Sequence, residues 1–282
     1  MAADSAGCLE LSARMAERVS FSMSMLPDEA VILALESSAE LASAAIWRAD
    51  GRHWQEVHAA RHGHAAMVTE LARHVMQQAG VTAASLTHVA AGRGPGSFTG
   101  IRVGLAAAKG FALASGAAGI GVSCLAAMVH TVRRHRPEYA ERRLLATADT
   151  RRGSYFCQMF GLVADPKIDS AINPAIDPAN STAPSIQDIA PESGQETPED
   201  WRQAVVIGPG AAELVAAFPD RAMTALQDVP PVDALQVADL AAHRLRTGLA
   251  ADRLTPLYVA PAFLGPAPSR PATLASGGAT GS

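Results

Sequence analysis

GRGPGSFTGIRVG, residues 92–104, is the stretch on which the reading of the whole chain turns. It packs five glycines and a proline into thirteen residues and runs directly into LAAAKGFALASG. LTHVAAG before it (Leu86 to Gly92) reads as a strand. The residues after it predict a helix from Ser97 to Ser115. Glycines at the mouth of a helix have two physical uses. They let backbone amides approach an anion, aided by the helix dipole. They also let one backbone lie close against another, because no Cβ intervenes.

The phosphate use fits poorly. A P-loop needs a lysine directly after its last glycine, and the first lysine here is Lys109. A dinucleotide fingerprint fails at Thr99, where the third glycine belongs, and lacks the acidic ribose partner roughly 20 residues on. The packing use fits better. Gly100, Gly104, Ala108, Ala112 and Gly116 recur every four residues and lie near one helix face. Each interior glycine costs about 1 kcal/mol relative to alanine, so a close contact must offset it. Ser97 or Thr99 can cap the helix. Arg102 and Lys109 project from a common edge. The small-residue stripe packs either on its own sheet or on a helix of another subunit.

Upstream, AVILALESS (Ala30 to Ser38) reads as a buried strand, and ASAAIWR and WQEVHAA follow at hairpin spacing around the Asp50-Gly51 turn signal. HAAMVTELARHVMQQAG predicts a helix closed by Gly80, with a narrow polar stripe of Thr69, Glu70, Arg73, His74, Gln77 and Gln78. So wide an apolar arc packs on the sheet on one side and calls for a neighbour on the other. Downstream, AGIGVS, RLLATADT, SYFCQMFGLV and AVVIGPGAAELVAAF continue an alternation of strands and helices, and DALQVADLAAHRL predicts an amphipathic helix. The pattern is α/β with mixed sheets flanked by helices, beginning near Ala30 and again near Leu144. Residues 1–29 read as a flexible extension, 161–200 as a proline-rich variable stretch, and 265–282 as a disordered tail.

An apolar fraction of 49% and a net charge of −4 over 282 residues allow a sizeable core and exclude a basic protein that grips nucleic acid alone. Of 23 basic residues only Lys109 and Lys167 are lysines. Cys8, Cys124 and Cys157 form no disulfide framework and no zinc spacing, which suits a reducing cytoplasm. No apolar run reaches the ~18 residues of a membrane span.

The glycine motif, ALESS before it and the H…ELARHVMQQAG helix between them resemble the TsaB family. The likeness is good from Ala30 to Val122 and weaker through ADTRRGSYF and VVIGPGAAE. It implies the two-lobed actin/Hsp70/sugar-kinase-like (ASKHA) fold, with lobes over 30–122 and 123–264, the second degenerate. It implies a non-catalytic scaffold for N6-threonylcarbamoylation of the adenosine 3′ of the anticodon in ANN-decoding tRNAs. The implied partners are a TsaD-like catalytic subunit and a TsaE-like ATPase, with a TsaC-type enzyme supplying the threonylcarbamoyl-adenylate and tRNA met only within the complex. A homodimer is implied when the partner is missing. No intrinsic cofactor is implied, though ATP or ADP has room at a subunit interface. The family's two interface helices fall here on His64, Met67, Val68, Leu71 and Val75 and on Ser97, Thr99, Gly100, Arg102, Gly104, Ala108 and Ala112. Gly104→Leu is then expected to spare the monomer and weaken partner binding.

The alternative is a stand-alone ATPase or small-molecule kinase of the same fold. Its residues would be Glu36 and Ser37, Asp149, and the Gly208 and Gly210 turn. Glu36 stands where the family has Asp, one methylene longer than a magnesium-holding site wants, so it reads as a plain strand end or as part of a weak, vestigial site. His58, His62 and His64 sit before a helix. On a strand, His58 and His62 would be ~13 Å apart, too far for one tetrahedral ion. No metal is expected. Ser97 and Cys124 lack a base in sequence, so no hydrolase is expected. Arg133, Arg134, Arg136, Arg142, Arg143, Arg151 and Arg152 form a basic cluster, read as a solvated helix end or as a tRNA contact within the complex.

Overall fold

The computed structural model describes residues 29–39, 41–59, 64–161, 186–193, 195–249 and 252–259. The readings made above for 1–28, most of the proline-rich stretch and the tail lie outside these residues. β1 (Val31–Glu36) is buried along its whole length, as an unbroken apolar run covered on both faces must be. β2 (Leu41–Arg48) and β3 (His53–Ala59) follow it in antiparallel register, and Gly51 takes the positive φ of 88° at the turn between them. β4 (His88–Gly92) and β5 (Ala118–Val122) then add in parallel on the other side of β1, giving the order β3-β2-β1-β4-β5.

The second sheet repeats this plan. β6 (Leu144–Asp149) and β7 (Tyr155–Phe160) pair antiparallel, β8 (Gln187–Ile189) joins β7, and β9 (Val205–Ile207) and β10 (Thr224–Ala225) run parallel beside β6. Read from its antiparallel edge, the order is β8-β7-β6-β9-β10, which matches the first sheet strand for strand. The chain therefore has the two-lobed actin/Hsp70/sugar-kinase-like architecture that the resemblance implies.

Helices fill the layers. α1 (His64–Gln78) and α2 (Phe98–Ser115) cover the outer face of the first sheet, where Leu33, Leu35, Ile46, Val68, Val75, Ile101 and Leu105 form one core cluster. α3 (Cys124–His135) and α5 (Ala234–Thr247) lie between the two sheets. α4 (Ala211–Ala217) covers the far face of the second sheet. Capping follows the sequence signals. Ser97, Ser123 and Asp233 each accept an amide hydrogen bond at the start of α2, α3 and α5, and Gly116 and Gly248 close α2 and α5 in the left-handed conformation.

After α5 the chain returns to the first sheet. Asp252 bridges to Gly121 on the β5 edge, and its carboxylate sits between two arginines: 3.0 Å from Arg93 and 3.3 Å from Arg244. All three side chains are almost fully buried. Arg93 Nε also donates to Thr255 O at 2.7 Å, and Leu257 N donates to Arg93 O at 3.0 Å. Residues 252–259 are thus strapped across the first lobe by charge-assisted bonds.

Candidate functional site

What the glycines of 92–104 face is now plain. The turn after β1 lies directly on the start of α2. Ser97 N donates to Ser38 O at 2.7 Å, and Ser37 Oγ donates to Gly100 O at 2.8 Å. A Cβ built at Gly96 would stand 2.4 Å from Ser38 O, at Gly100 1.9 Å from Ser37 O, and at Gly104 2.7 Å from Ser37 Oγ. Gly96 and Gly100 face backbone oxygens and leave no room for a side chain, while at Gly104 the Ser37 hydroxyl would have to turn away. The close packing is real, but it is made with the chain's own turn.

This corrects part of the expected partner surface. Gly100, Gly104 and Ala108 are buried against their own lobe, and so are Val68, Leu71 and Val75 on α1. Their apolar arc is taken up by the first sheet and by the α1–α2 contact of the same chain. Gly104→Leu would break the fold rather than spare it. Met67 and Ala112 are half-buried, while Ser97, Thr99 and Arg102 are exposed. His64 begins α1.

The exposed face of α2 is a different stripe: Phe98, Arg102, Ala106, Lys109, Gly110, Leu113 and Ala114. Leu113 is 88% exposed. A Cβ at Gly110 would meet nothing within 4 Å. The neighbouring surface of α1 carries the predicted polar stripe, with Glu70, Arg73, His74 and Gln77 all exposed.

Glu36 and Ser37 are buried, and the interlobe cleft is lined from Ser38 onward. Ser38 N donates to Glu36 Oε1 at 2.5 Å, and the Cys124 thiol donates to Oε2 at 3.2 Å. A Cβ on Gly92 would fall 1.6 Å from Oε2, so that glycine makes room for the longer acid. Burial pushes the Glu36 carboxyl up from its usual range, against the hydrogen bonds of Ser38 and Cys124. Burial and the neighbouring carboxyl push the Cys124 thiol well up too. The expected nucleotide-facing role of Glu36 and Ser37 is therefore corrected: both are sealed beneath Cys124 and Ser38.

The cleft between the lobes has a volume of about 890 Å³. Asp149, Gly208 and Gly210 do line it. Yet the two glycines serve the second lobe itself. At Gly208 a Cβ would lie 2.6 Å from Thr147 O, and at Gly210 2.2 Å from the Tyr155 ring. Thr147 Oγ1 donates to Pro209 O at 2.7 Å and Tyr155 OH to Glu213, which locks that turn. Asp149 accepts from Arg151 N at 2.6 Å.

Several arginines of the sequence cluster are engaged by their own chain. Arg133 donates to Gly161 O, Arg136 to the carbonyls of Gln227 and Asp228, and Arg143 to those of Asp200 and Arg202. Arg134 faces Asp239 at 3.8 Å. The guanidiniums of Arg133, Arg136 and Arg143 thus tie down loop carbonyls. Arg142 is exposed, and Arg151 and Arg152 line the cleft. His58 is half-buried near the end of the β3 edge strand, and His62 lies outside the described residues. Among the described residues, no group of three or more His, Cys, Asp or Glu is set to hold a metal ion, and no helix is long and apolar enough to cross a membrane.

Sequence reasoning missed the cluster at the cleft rim. Arg102 stacks over Phe98 at 3.6 Å from the ring centroid and donates from Nε to Tyr258 OH at 2.9 Å. Tyr258 comes from the strap, 156 residues away, and no local pattern announces that contact.

Comparison with known proteins matches this picture. The chain is 32% identical over 125 residues to the tRNA threonylcarbamoyladenosine biosynthesis protein TsaB of Escherichia coli strain K12, covering 44% of this chain and 52% of that protein. It is 35% identical over 98 residues to the protein of the same name from Haemophilus influenzae, covering 34% and 41%. The chain thus spans about half the length of the curated relatives it matches. Two solved structures share the fold. A Pseudomonas aeruginosa protein described as similar to peptidase YEAZ has a TM-score of 0.60 at 22% identity, covering 82% of this chain and 100% of its own. YeaZ from Pseudomonas aeruginosa has a TM-score of 0.59 at 24% identity, covering 81% and 99%. Residues 57–261, most of the chain, match the family model of TsaD, tRNA N6-adenosine threonylcarbamoyltransferase, and with these likenesses the chain belongs to the TsaB/YeaZ family.

Proposed function

We propose that this chain is the non-catalytic scaffold subunit of a tRNA N6-threonylcarbamoyladenosine system, docking through the outer face of α2 onto a TsaD-like catalytic subunit. The observation that carries the reading is Gly110. It sits mid-helix, exposed, with nothing within 4 Å of its missing side chain. A glycine there costs the free protein about 1 kcal/mol and returns nothing internally. Next to it Leu113 stands 88% in water. A partner backbone lying against Gly110 and an apolar pocket for Leu113 would repay both. The same face would let two copies associate when the partner is missing. A TsaE-like ATPase and tRNA would then be met through the complex, in the cytoplasm, with any ATP or ADP held at a subunit interface.

The stand-alone kinase or ATPase reading is less well supported. Ser97 N at the mouth of α2 is taken by Ser38 O, and Glu36 is buried beneath Cys124. The test mixes the purified chain with the TsaD-like protein of the same organism, with and without ATP, and reads mass by light scattering after size exclusion. A stable mixed complex is expected, and Leu113→Asp or Gly110→Leu should weaken it more than ten-fold without lowering Tm. Absence of a complex, or full affinity in both variants, would overturn the reading.

A further inference from the structure

We propose that His130 and His243 form an acid-sensitive latch across the joint between the two lobes. As neutral rings they hold α3 on α5, and in acid they push the two helices, and with them the lobes, apart. This goes beyond the scaffold reading and does not depend on it, because the docking face on α2 belongs to the first lobe alone.

The joint is built from two helices. α5 packs chiefly on β1, β2 and β4 of the first sheet, α3 packs on β6 of the second, and the two helices pack on each other. They run antiparallel. His130 meets His243, while Arg134, one turn further along α3, faces Asp239, one turn back along α5. Leu125, Val129, Val132, Val237, Leu240 and Ala241 of these helices share one apolar cluster. The two imidazoles stand with centroids 4.9 Å apart and planes tilted by 41°. His130 Nε2 is buried and has no hydrogen-bond partner among the described residues. A neutral ring tolerates that far better than an imidazolium does, because a buried charge without a partner costs much more than a buried dipole.

The surroundings have the wrong sign for added protons. α3 carries no acidic residue, and its last turn is Arg133, Arg134 and His135. α5 carries one carboxylate, Asp239, which accepts from Trp47 Nε1 at 3.1 Å and faces Arg134 at 3.8 Å. Arg246 lies over the same Trp47 ring. Arg244 shares the Asp252 carboxylate with Arg93, which leaves that clasp one positive charge in excess. β6 brings only Asp149, engaged by Arg151 N, and the turn at Pro137–Tyr139 brings the exposed Glu138. The strands beneath α5 bring Glu36, bonded by Ser38 and Cys124, Arg48, paired with Asp50, and His88, bonded to Thr87. Burial first, then a charge on His243, then Arg134, Arg244 and His135 push the His130 imidazole down to about 4. The same guanidiniums disfavour a metal cation between the rings. The folded value lies below the ordinary 6.5, so the stability that goes with the neutral ring is full above that pH and is lost as pH falls toward 4. Between pH 7 and pH 5 this one group lowers the folding equilibrium about 20-fold. Parting α3 from α5 rehydrates both rings without dismantling either sheet, so the joint yields before the lobes do.

The test follows the full chain through a pH series. Histidine ring resonances of the wild type are titrated by NMR, and small-angle scattering is read beside far-ultraviolet circular dichroism. His130 should titrate well below the ordinary histidine value, and higher in His243→Gln than in wild type. The radius of gyration should rise in acid while the secondary structure stays intact. His130→Phe keeps a ring in place and cannot titrate. Its urea unfolding equilibrium should lose about 20-fold less than that of wild type between pH 7 and pH 5, and its radius of gyration should stay constant over that range. The wild-type titration and scattering need no variant, so a variant that fails to fold leaves the test intact. A His130 that titrates at or above the ordinary value overturns the proposal. So does an equal acid response in wild type and His130→Phe, or a wild type that loses secondary structure in the same step as it expands.

Discussion

Two glycines of one helix should respond to the same substitution with opposite sign. In α2, Gly100 and Gly110 are ten residues apart, and each loses about 1 kcal/mol of helix propensity relative to alanine. At Gly110 the added methyl meets open space, so Gly110→Ala should stabilise the free protein by about 1 kcal/mol. For a chain of this size that raises Tm by about 2–4 °C. At Gly100 the methyl would stand 1.9 Å from Ser37 O. The turn must retreat by more than an ångström, on the order of the gap to an ordinary contact. That strains the Ser37 Oγ to Gly100 O and Ser97 N to Ser38 O hydrogen bonds. Overpacking costs about 1–3 kcal/mol and each buried group left unpaired about 1–3 kcal/mol more. Set against the propensity gain, Gly100→Ala should lose about 2–4 kcal/mol. Thermal and urea unfolding of the two variants beside wild type measure this directly. Shifts of the same sign, or a harmless Gly100→Ala, would refute the account of the glycine loop as a seat for the Ser37-Ser38 turn.

Other consequences are equally open to measurement. Because burial raises the Glu36 carboxyl above its unfolded value, wild type holds that contribution below the ordinary carboxylate pKa and loses it as pH rises through the folded value. Glu36→Gln, which keeps the shape and cannot titrate, should therefore gain on wild type as pH rises above about 4.5, read as the difference in Tm across a pH series; a difference that runs the other way would show the buried group to be a stabilised carboxylate. Asp252→Ala leaves two buried arginines without their shared carboxylate and should cost about 3–5 kcal/mol, with hydrogen exchange rising first in residues 252–259. Exchange spread evenly over the lobe would mean that the clasp does not hold the strap.

Much of the fold was legible in the sequence, for local reasons. VILALE is too apolar for an edge strand, Asp50-Gly51 demands a turn, and the polar stripe of α1 marks its wet side. The repeat beginning near Leu144 is visible because each lobe opens on the same kind of apolar strand. The spacing of Gly100, Gly104 and Ala108 correctly announces a smooth helix face. It cannot say what that face meets, because the turn that fills it lies 63 residues back and is brought there by the pairing of β1 with β4. The outer stripe of Gly110 and Leu113 has no period of its own in so apolar a helix. β8 and β10 are two or three residues long and exist only through their partners. In the Arg93–Asp252–Arg244 clasp, Arg93 stands more than 150 positions before its two partners, a charge pattern no window can contain.

The clasp also sets a timetable for synthesis. The first sheet is complete at β5, yet its inner face is covered by α5, and its β5 edge is held by the strap through Asp252. Everything between, including the whole second sheet, must leave the ribosome before that face can close. While the nascent chain grows, the half made first therefore waits with Ile32, Ala90 and Ile120 uncovered on one side. The half made second can settle sooner, since its strands and α4 follow one another without a break to a distant segment. Order of translation and order of completion are thus reversed. A stop at or before codon 252 would take the strap from the first sheet even though every strand of that sheet had been made.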